Sequence, residues 1–171
     1  MPMRNLIFVA FVEPVAEGQV FPRTDWPLHI TLVRFDVRFD AGNAAGADVA
    51  ERLAGLADVP VAAALGTPLT VGADAGFGRD GSVPVNLVAP NRALQQLHEQ
   101  LVDLVPEVGG RILTPRHTLA GYRPHISHHG SKRLHRGDAV VLDRVALVDM
   151  APGGDHAIRQ VLRLWSLDAG G

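Results

Sequence analysis

An α+β protein built around antiparallel sheets is the fold class this chain predicts, and three observations carry the prediction. Seven or more runs rich in β-branched and aromatic residues are bracketed by turn formers, the pattern of short strands. Two segments show the apolar spacing of helices. The order, two strands, a helix and two strands followed by a helix and three strands, makes the two halves of the chain loosely alike.

Taken in turn, Asn5 to Val12 and Leu28 to Val37 read as strands, and Pro22, Asp25 and Pro27 demand a loop between them. From Asp48 the residues Val49, Leu53 and Leu56 recur at helical spacing with Glu51 and Arg52 turned away, so a helix is predicted over about 48–57 with Pro60 ending it. Val61 to Leu65 and Leu69 to Val71 read as short strands. Gly76, Gly78 and Gly81 then mark a turn before a strand from Val83 to Ala89, where Pro84 indicates an edge or a strand start. Asn91 is a good N-cap for a second helix with Leu94, Leu97, Leu101 and Leu104 or Val105 on its buried face, stopped by Pro106 and the Gly109-Gly110 pair. A strand from Pro124 to His129 follows, then Ala139 to Val148, a turn at Pro152-Gly153-Gly154 and a last strand from Ala157 to Leu167, the last two pairing as a hairpin.

A chain of 171 residues with 47% apolar and 20% charged residues fits a single domain, 1–171, that folds alone and buries about 70% of its unfolded surface. It contains no cysteine, which excludes disulfides, thiolate metal ligands and a cysteine nucleophile and is compatible with a cytoplasmic location. The apolar run from Leu6 to Phe11 is too short for a signal segment or a membrane span. A net charge of −2 argues against an extended clamp for duplex nucleic acid. Positive charge is nevertheless concentrated: Arg111, Arg116, Arg123, Lys132, Arg133 and Arg136 fall in one segment with no acidic residue, together with His117, His125, His128, His129 and His135. Such a segment is either a solvated basic loop or a wall that attracts anions.

The chemistry lies in a repeated pattern. Leu28-His29-Ile30-Thr31-Leu32 recurs as Pro124-His125-Ile126-Ser127-His128, each histidine inside a predicted strand and with a proline close before it, Pro27 and Pro124. Strand side chains alternate, so His29 and Thr31 share one face, as do His125 and Ser127, while Ile30 and Ile126 point to the core. One His-x-Thr is weak evidence, because such a pair is usually structural. Two copies in equivalent places of similar halves, with the basic segment around the second, are much harder to attribute to coincidence.

The arrangement resembles the two-histidine (2H) phosphoesterase superfamily, which includes bacterial 2′-5′ RNA ligase-like enzymes and cyclic phosphodiesterases. The resemblance covers nearly the whole chain: Gly76-Phe77-Gly78 before the strand at Val83, the Leu-rich helix after Asn91, Tyr122-Arg123-Pro124-His125, and the closing Trp165-Ser166-Leu167 stand in family-like order. His128 departs from it, standing where the family has an apolar residue. The resemblance implies a bilobal, pseudo-twofold arrangement of sheets and flanking helices, with both motifs facing a central groove.

Independently, opening or closing a phosphodiester requires one proton taken and another given, and two imidazoles with pKa values near 6.5 supply both. Expected catalytic residues are His29 and His125 as base and acid, in an order that spacing does not assign, with Thr31 and Ser127 donating to the non-bridging oxygens as charge accumulates. The set holds neither the carboxylates of a Mg²⁺ site nor a complete zinc ligand set, so no metal and no cofactor are expected.

Tyr122 can stack a base and Arg123 can grip phosphate, Phe77 can floor a nucleobase pocket, and His129 shares the parity of His125 and can line the groove. Each also has an ordinary structural reading. Expected partners are a nucleotide or an RNA end carrying a phosphodiester, with no membrane, and the chain is expected to be a monomer. The competing readings are a non-catalytic RNA-end or nucleotide binding module and a histidine-rich metal-binding protein.

Overall fold

The computed structural model describes residues 3–38 and 45–167. Nine antiparallel strands form one curled sheet: β1 (Met3–Phe11), β2 (Val20–Pro22), β3 (His29–Arg38), β4 (Thr67–Phe77), β5 (Val83–Val88), β6 (His125–Ser127), β7 (Ala139–Leu142), β8 (Arg144–Asp149) and β9 (Ile158–Ser166). Their order is β2-β9-β8-β1-β3-β6-β5-β4-β7. Two helices, α1 (Ala45–Ala64) and α2 (Arg92–Leu104), pack on one face. The α+β class and its antiparallel sheet stand as expected.

The two halves of the sheet are not successive halves of the chain. The five strands β2, β9, β8, β1 and β3 draw on both ends of the sequence, and β6, β5, β4 and β7 come from its middle. A single residue, Asp143, separates β7 from β8, so the predicted continuous strand from Ala139 to Val148 is two strands in opposite halves. The halves join at one bridge, Ile30 opposite Ile126, both fully buried.

Helix α1 runs past its predicted end and through Pro60. Leu53, Ala57, Val61 and Ala64 make one continuous buried stripe, and three successive alanines favour helix, so burial outweighs the bond that Pro60 cannot donate. The predicted strand Val61 to Leu65 is therefore the last turn of α1 and the chain leaving it. Leu56, assigned to the buried stripe, lies on the exposed side. Asn91 caps α2 as expected, its side chain accepting from the Leu94 N–H at 3.0 Å.

Where the sequence placed a short strand at Leu69, β4 is an eleven-residue strand paired with β5 on one edge and β7 on the other. The short β2, inside a predicted loop, pairs with β9 and covers an apolar cluster of Ile7, Val9, Phe11, Phe21, Trp26, Ala146, Val148, Met150 and Val161 on the face away from the helices.

Candidate active site

Both motifs meet at the seam of the sheet. Antiparallel pairing about the Ile30–Ile126 bridge sets His29 across from Ser127 and Thr31 across from His125, all four on the face opposite the buried isoleucines. The two histidines are diagonal neighbours, about 7–8 Å apart at Cα. The charge of His125 acts on His29.

The two imidazoles are held alike. His29 Nδ1 lies 2.8 Å from the Pro27 carbonyl and His125 Nδ1 2.8 Å from the Arg123 carbonyl, each two residues upstream. A carbonyl only accepts, so each Nδ1 carries the proton and each Nε2 is left for chemistry. In the second motif the acceptor Arg123 precedes Pro124 and is confined to extended backbone, and in the first the acceptor is Pro27 itself, whose φ the ring fixes.

His29 packs against Trp26, ring centroids 4.4 Å apart, and against the edge of Phe11 at 6.0 Å. Burial pushes its pKa down to about 4; the Pro27 bond opposes this, and the charges of His129, His125 and Lys132 add to it. His125 packs on Phe77 at 4.2 Å, and the Arg123 guanidinium lies 4.7 Å over the same ring. Its pKa is lowered, first by burial and then by the charges of Arg123 and His117, against the opposing bond to the Arg123 carbonyl.

Tyr122 donates its hydroxyl to the Thr31 carbonyl at 2.7 Å, and its ring stacks on His98 at 3.8 Å and 6°. One face of the ring expected to meet a base is thus occupied by protein. His98 donates from Nδ1 to the Leu32 carbonyl at 2.5 Å and accepts the Leu119 N–H at Nε2, 2.9 Å. Thr31 is therefore clamped by the segment that leads into the second motif, and Leu32 by His98 of α2, which the same segment holds through Leu119. His98 was hidden in the sequence among the leucines of α2, a polar residue on a buried stripe being its only signal.

His129 turns towards the first half of the sheet, where its charge acts on His29, and its Nε2 is buried without a hydrogen-bond partner among the described residues. Lys132, one hairpin turn away, pairs with Glu13 at 2.9 Å, and Glu13 also accepts the Leu28 N–H at 2.5 Å. His128 points the other way. Its Nε2 meets Asn86 Oδ1 at 2.7 Å, and the buried Asn86 also donates to Asp74 and to the Gly72 carbonyl. That amide explains a histidine at an apolar position and separates His128 from His125.

A cavity of about 470 Å³ opens beside the seam, walled by Thr31, Arg34, Phe77, His117, Arg123 and His125 among others, with no carboxylate in its lining. A larger hollow of about 870 Å³, mostly apolar, is bounded by β4, β5 and the start of α2 and contains none of the four motif side chains. Among the described residues no helix is long and apolar enough to cross a membrane.

The fold is that of solved phosphoesterases. The chain is similar to a crystal structure of a phosphoesterase, with 18% identity, 97% of this chain and 99% of that one covered, and a TM-score of 0.58. It is also similar to E. coli LigT complexed with NADP+, at 17% identity, 96% and 97% coverage and a TM-score of 0.55. The complex of LigT with 3′-AMP gives 16%, 96% and 98%, and 0.53. No curated protein matches the chain. A family model described as the 2′-5′ RNA ligase superfamily matches residues 10–141, and the chain belongs to that superfamily.

Proposed function

We propose that the protein is a metal-independent phosphoesterase acting on the 2′,3′-cyclic phosphate or 2′-5′ phosphodiester of nucleotides or RNA ends. The observation that carries this reading is the Ile30–Ile126 bridge, which turns two sequence-distant His-x-Ser/Thr pairs into one four-residue cluster with both Nδ1 atoms on backbone carbonyls.

We assign the roles from the deeper burial of His29. His29, with a pKa near 4, is neutral at physiological pH and is the general base, its Nε2 accepting the proton of the attacking water or hydroxyl. His125 is the acid. It is protonated once the phosphate anion enters and offsets the charges of Arg123 and His117, and it delivers its Nε2 proton to the leaving ribose oxygen. Thr31 and Ser127 donate their hydroxyls to the non-bridging oxygens, bonds that strengthen as the phosphorus gains its fifth oxygen. Phe77 and Arg123 bind the nucleoside portion, and His129 lines the groove on the His29 side. The nucleotide complexes of LigT support a nucleotide as the bound molecule here.

The test is turnover of 2′,3′-cyclic mononucleotides and 2′-5′ dinucleotides by the wild type, His29→Ala and His125→Ala in the presence of a strong chelator. The expected result is wild-type activity that survives chelation and falls roughly 10²–10⁴-fold in each variant. Binding without turnover in the wild type would make the protein a binding module, and activity lost to the chelator would remove the metal-independent mechanism.

A further inference from the structure

One device in β3 goes beyond the motif pairs. The register of β3 on β1 shifts between Phe8 and Val9: Val9 faces Thr31 and Phe8 faces Val33, so Leu32 is an extra residue. Leu32 and Val33 both enter the helix-side core, and strand alternation resumes one residue late. Without the bulge, Arg34 would share the parity of Ile30 and point into that core. With it, Arg34 joins His29 and Thr31 on the groove face, is exposed, and lines the same cavity as Thr31 and His125. At about 3.3 Å per residue its Cα stands no more than about 10 Å along the strand from Thr31, and its side chain leans on towards Asn5, which lies across from Asp36.

The guanidinium is anchored by an amide and, among the described residues, not neutralised by a carboxylate. Its Nε donates to Asn5 Oδ1 at 2.7 Å, and Asn5 Nδ2 in turn donates to Asp36 Oδ1 at 2.6 Å, so a neutral amide stands between Arg34 and the nearby carboxylate. Among the described residues Arg34 makes no ion pair, and neither do Arg23 and Arg159. Arg159 adds to the same field: burial first, and then the charges of Arg23 and Arg34, push its pKa down, against the opposing charge of Asp149. A planar donor fork with one edge fixed and the other open, in a cavity without carboxylates, is built for a phosphate.

We infer that Arg34 forms a second phosphate subsite, which takes the 5′-phosphate of the nucleotide whose ribose carries the scissile phosphate. This deepens the proposed function and rests on it. The substrate class it selects is a nucleotide with two phosphates one ribose apart, either a 5′-phosphorylated nucleotide or the 3′ end of an RNA chain, in preference to a simple cyclic mononucleotide.

Equilibrium binding, which needs no turnover, tests it. Calorimetry compares adenosine 2′-monophosphate, adenosine 2′,5′-bisphosphate and an adenylyl dinucleotide ending in a 2′-phosphate, with wild type, Arg34→Gln and Arg34→Lys. The 5′-phosphate is expected to tighten wild-type binding by about tenfold or more, Arg34→Gln to abolish that gain, and Arg34→Lys to restore part of it, as a point charge does for a fork. A gain with the bisphosphate alone assigns the subsite to a terminal phosphate, and a gain with both to an internucleotide phosphate as well. Equal affinity for the mono- and bisphosphate, or a gain that survives Arg34→Gln, overturns the inference. Loss of turnover with this binding pattern intact would overturn only the catalytic reading.

Discussion

Tyr122 donates its hydroxyl to the backbone carbonyl of Thr31 at 2.7 Å, so the residue that leads into the second motif fixes the backbone of the first. The bond crosses the seam where, among the described residues, one bridge joins the two halves of the sheet, and the stacked His98 holds the adjacent Leu32 carbonyl.

Tyr122→Phe removes that bond and leaves the Thr31 carbonyl without its partner, while keeping the ring on His98. Stability should fall by about 1–2 kcal/mol. Because Thr31 then loses its fixed position, kcat should fall more than KM rises, about tenfold. Denaturant unfolding together with steady-state kinetics on a cyclic nucleotide measures both.

The pH dependence follows from the two depressed histidines. With His29 titrating near 4 and His125 below its ordinary 6.5, kcat/KM should be bell-shaped with its maximum on the acidic side of neutrality and an acid limb near pH 4. A profile flat from about pH 4 to 9 would contradict paired acid and base roles.

Stability follows the same shift. Between about 6.5 and 4 the unfolded chain binds a proton at His29 that the folded chain refuses, so stability is full above pH 6.5 and is lost as the pH falls towards 4. His29→Asn should flatten unfolding free energy over that window, which chemical denaturation at a series of pH values would show.

His128→Leu should separate structure from chemistry. It removes a partner of the buried Asn86 amide and should cost about 1–3 kcal/mol of stability while leaving kcat within about twofold, since His128 faces away from His125. Thermal unfolding and kinetics on the same preparation check both.

Gly76→Ala tests the turn beneath Phe77. A Cβ at Gly76 would lie 2.5 Å from the Gly81 carbonyl oxygen, so the β4–β5 turn must open and Phe77 must leave His125. Substrate KM should rise several-fold with a lower Tm.

Much of the fold and the centre of the site were legible in the chain because they follow local rules. Alternation put His29 with Thr31 and His125 with Ser127, Asn91 announced α2, and the repeated motif pointed to a pair of imidazoles. What local rules miss is what distant segments decide. Pro60 lies inside α1 because burial of Val61 and Ala64 outweighs a local break. The Ala139–Val148 run looks continuous, yet it divides at Asp143 between two halves of the sheet.

The sequence by itself determined the residue inventory, the four motif side chains and their shared faces, because strand periodicity is a property of the backbone alone. The tertiary structure decided which side chains meet: the register at Ile30–Ile126, the bulge that brings Arg34 into the groove, His98 and Tyr122 beneath Thr31, and the burial that lowers the pKa of His29. Register, bulges and desolvation arise only when segments far apart in sequence pack together.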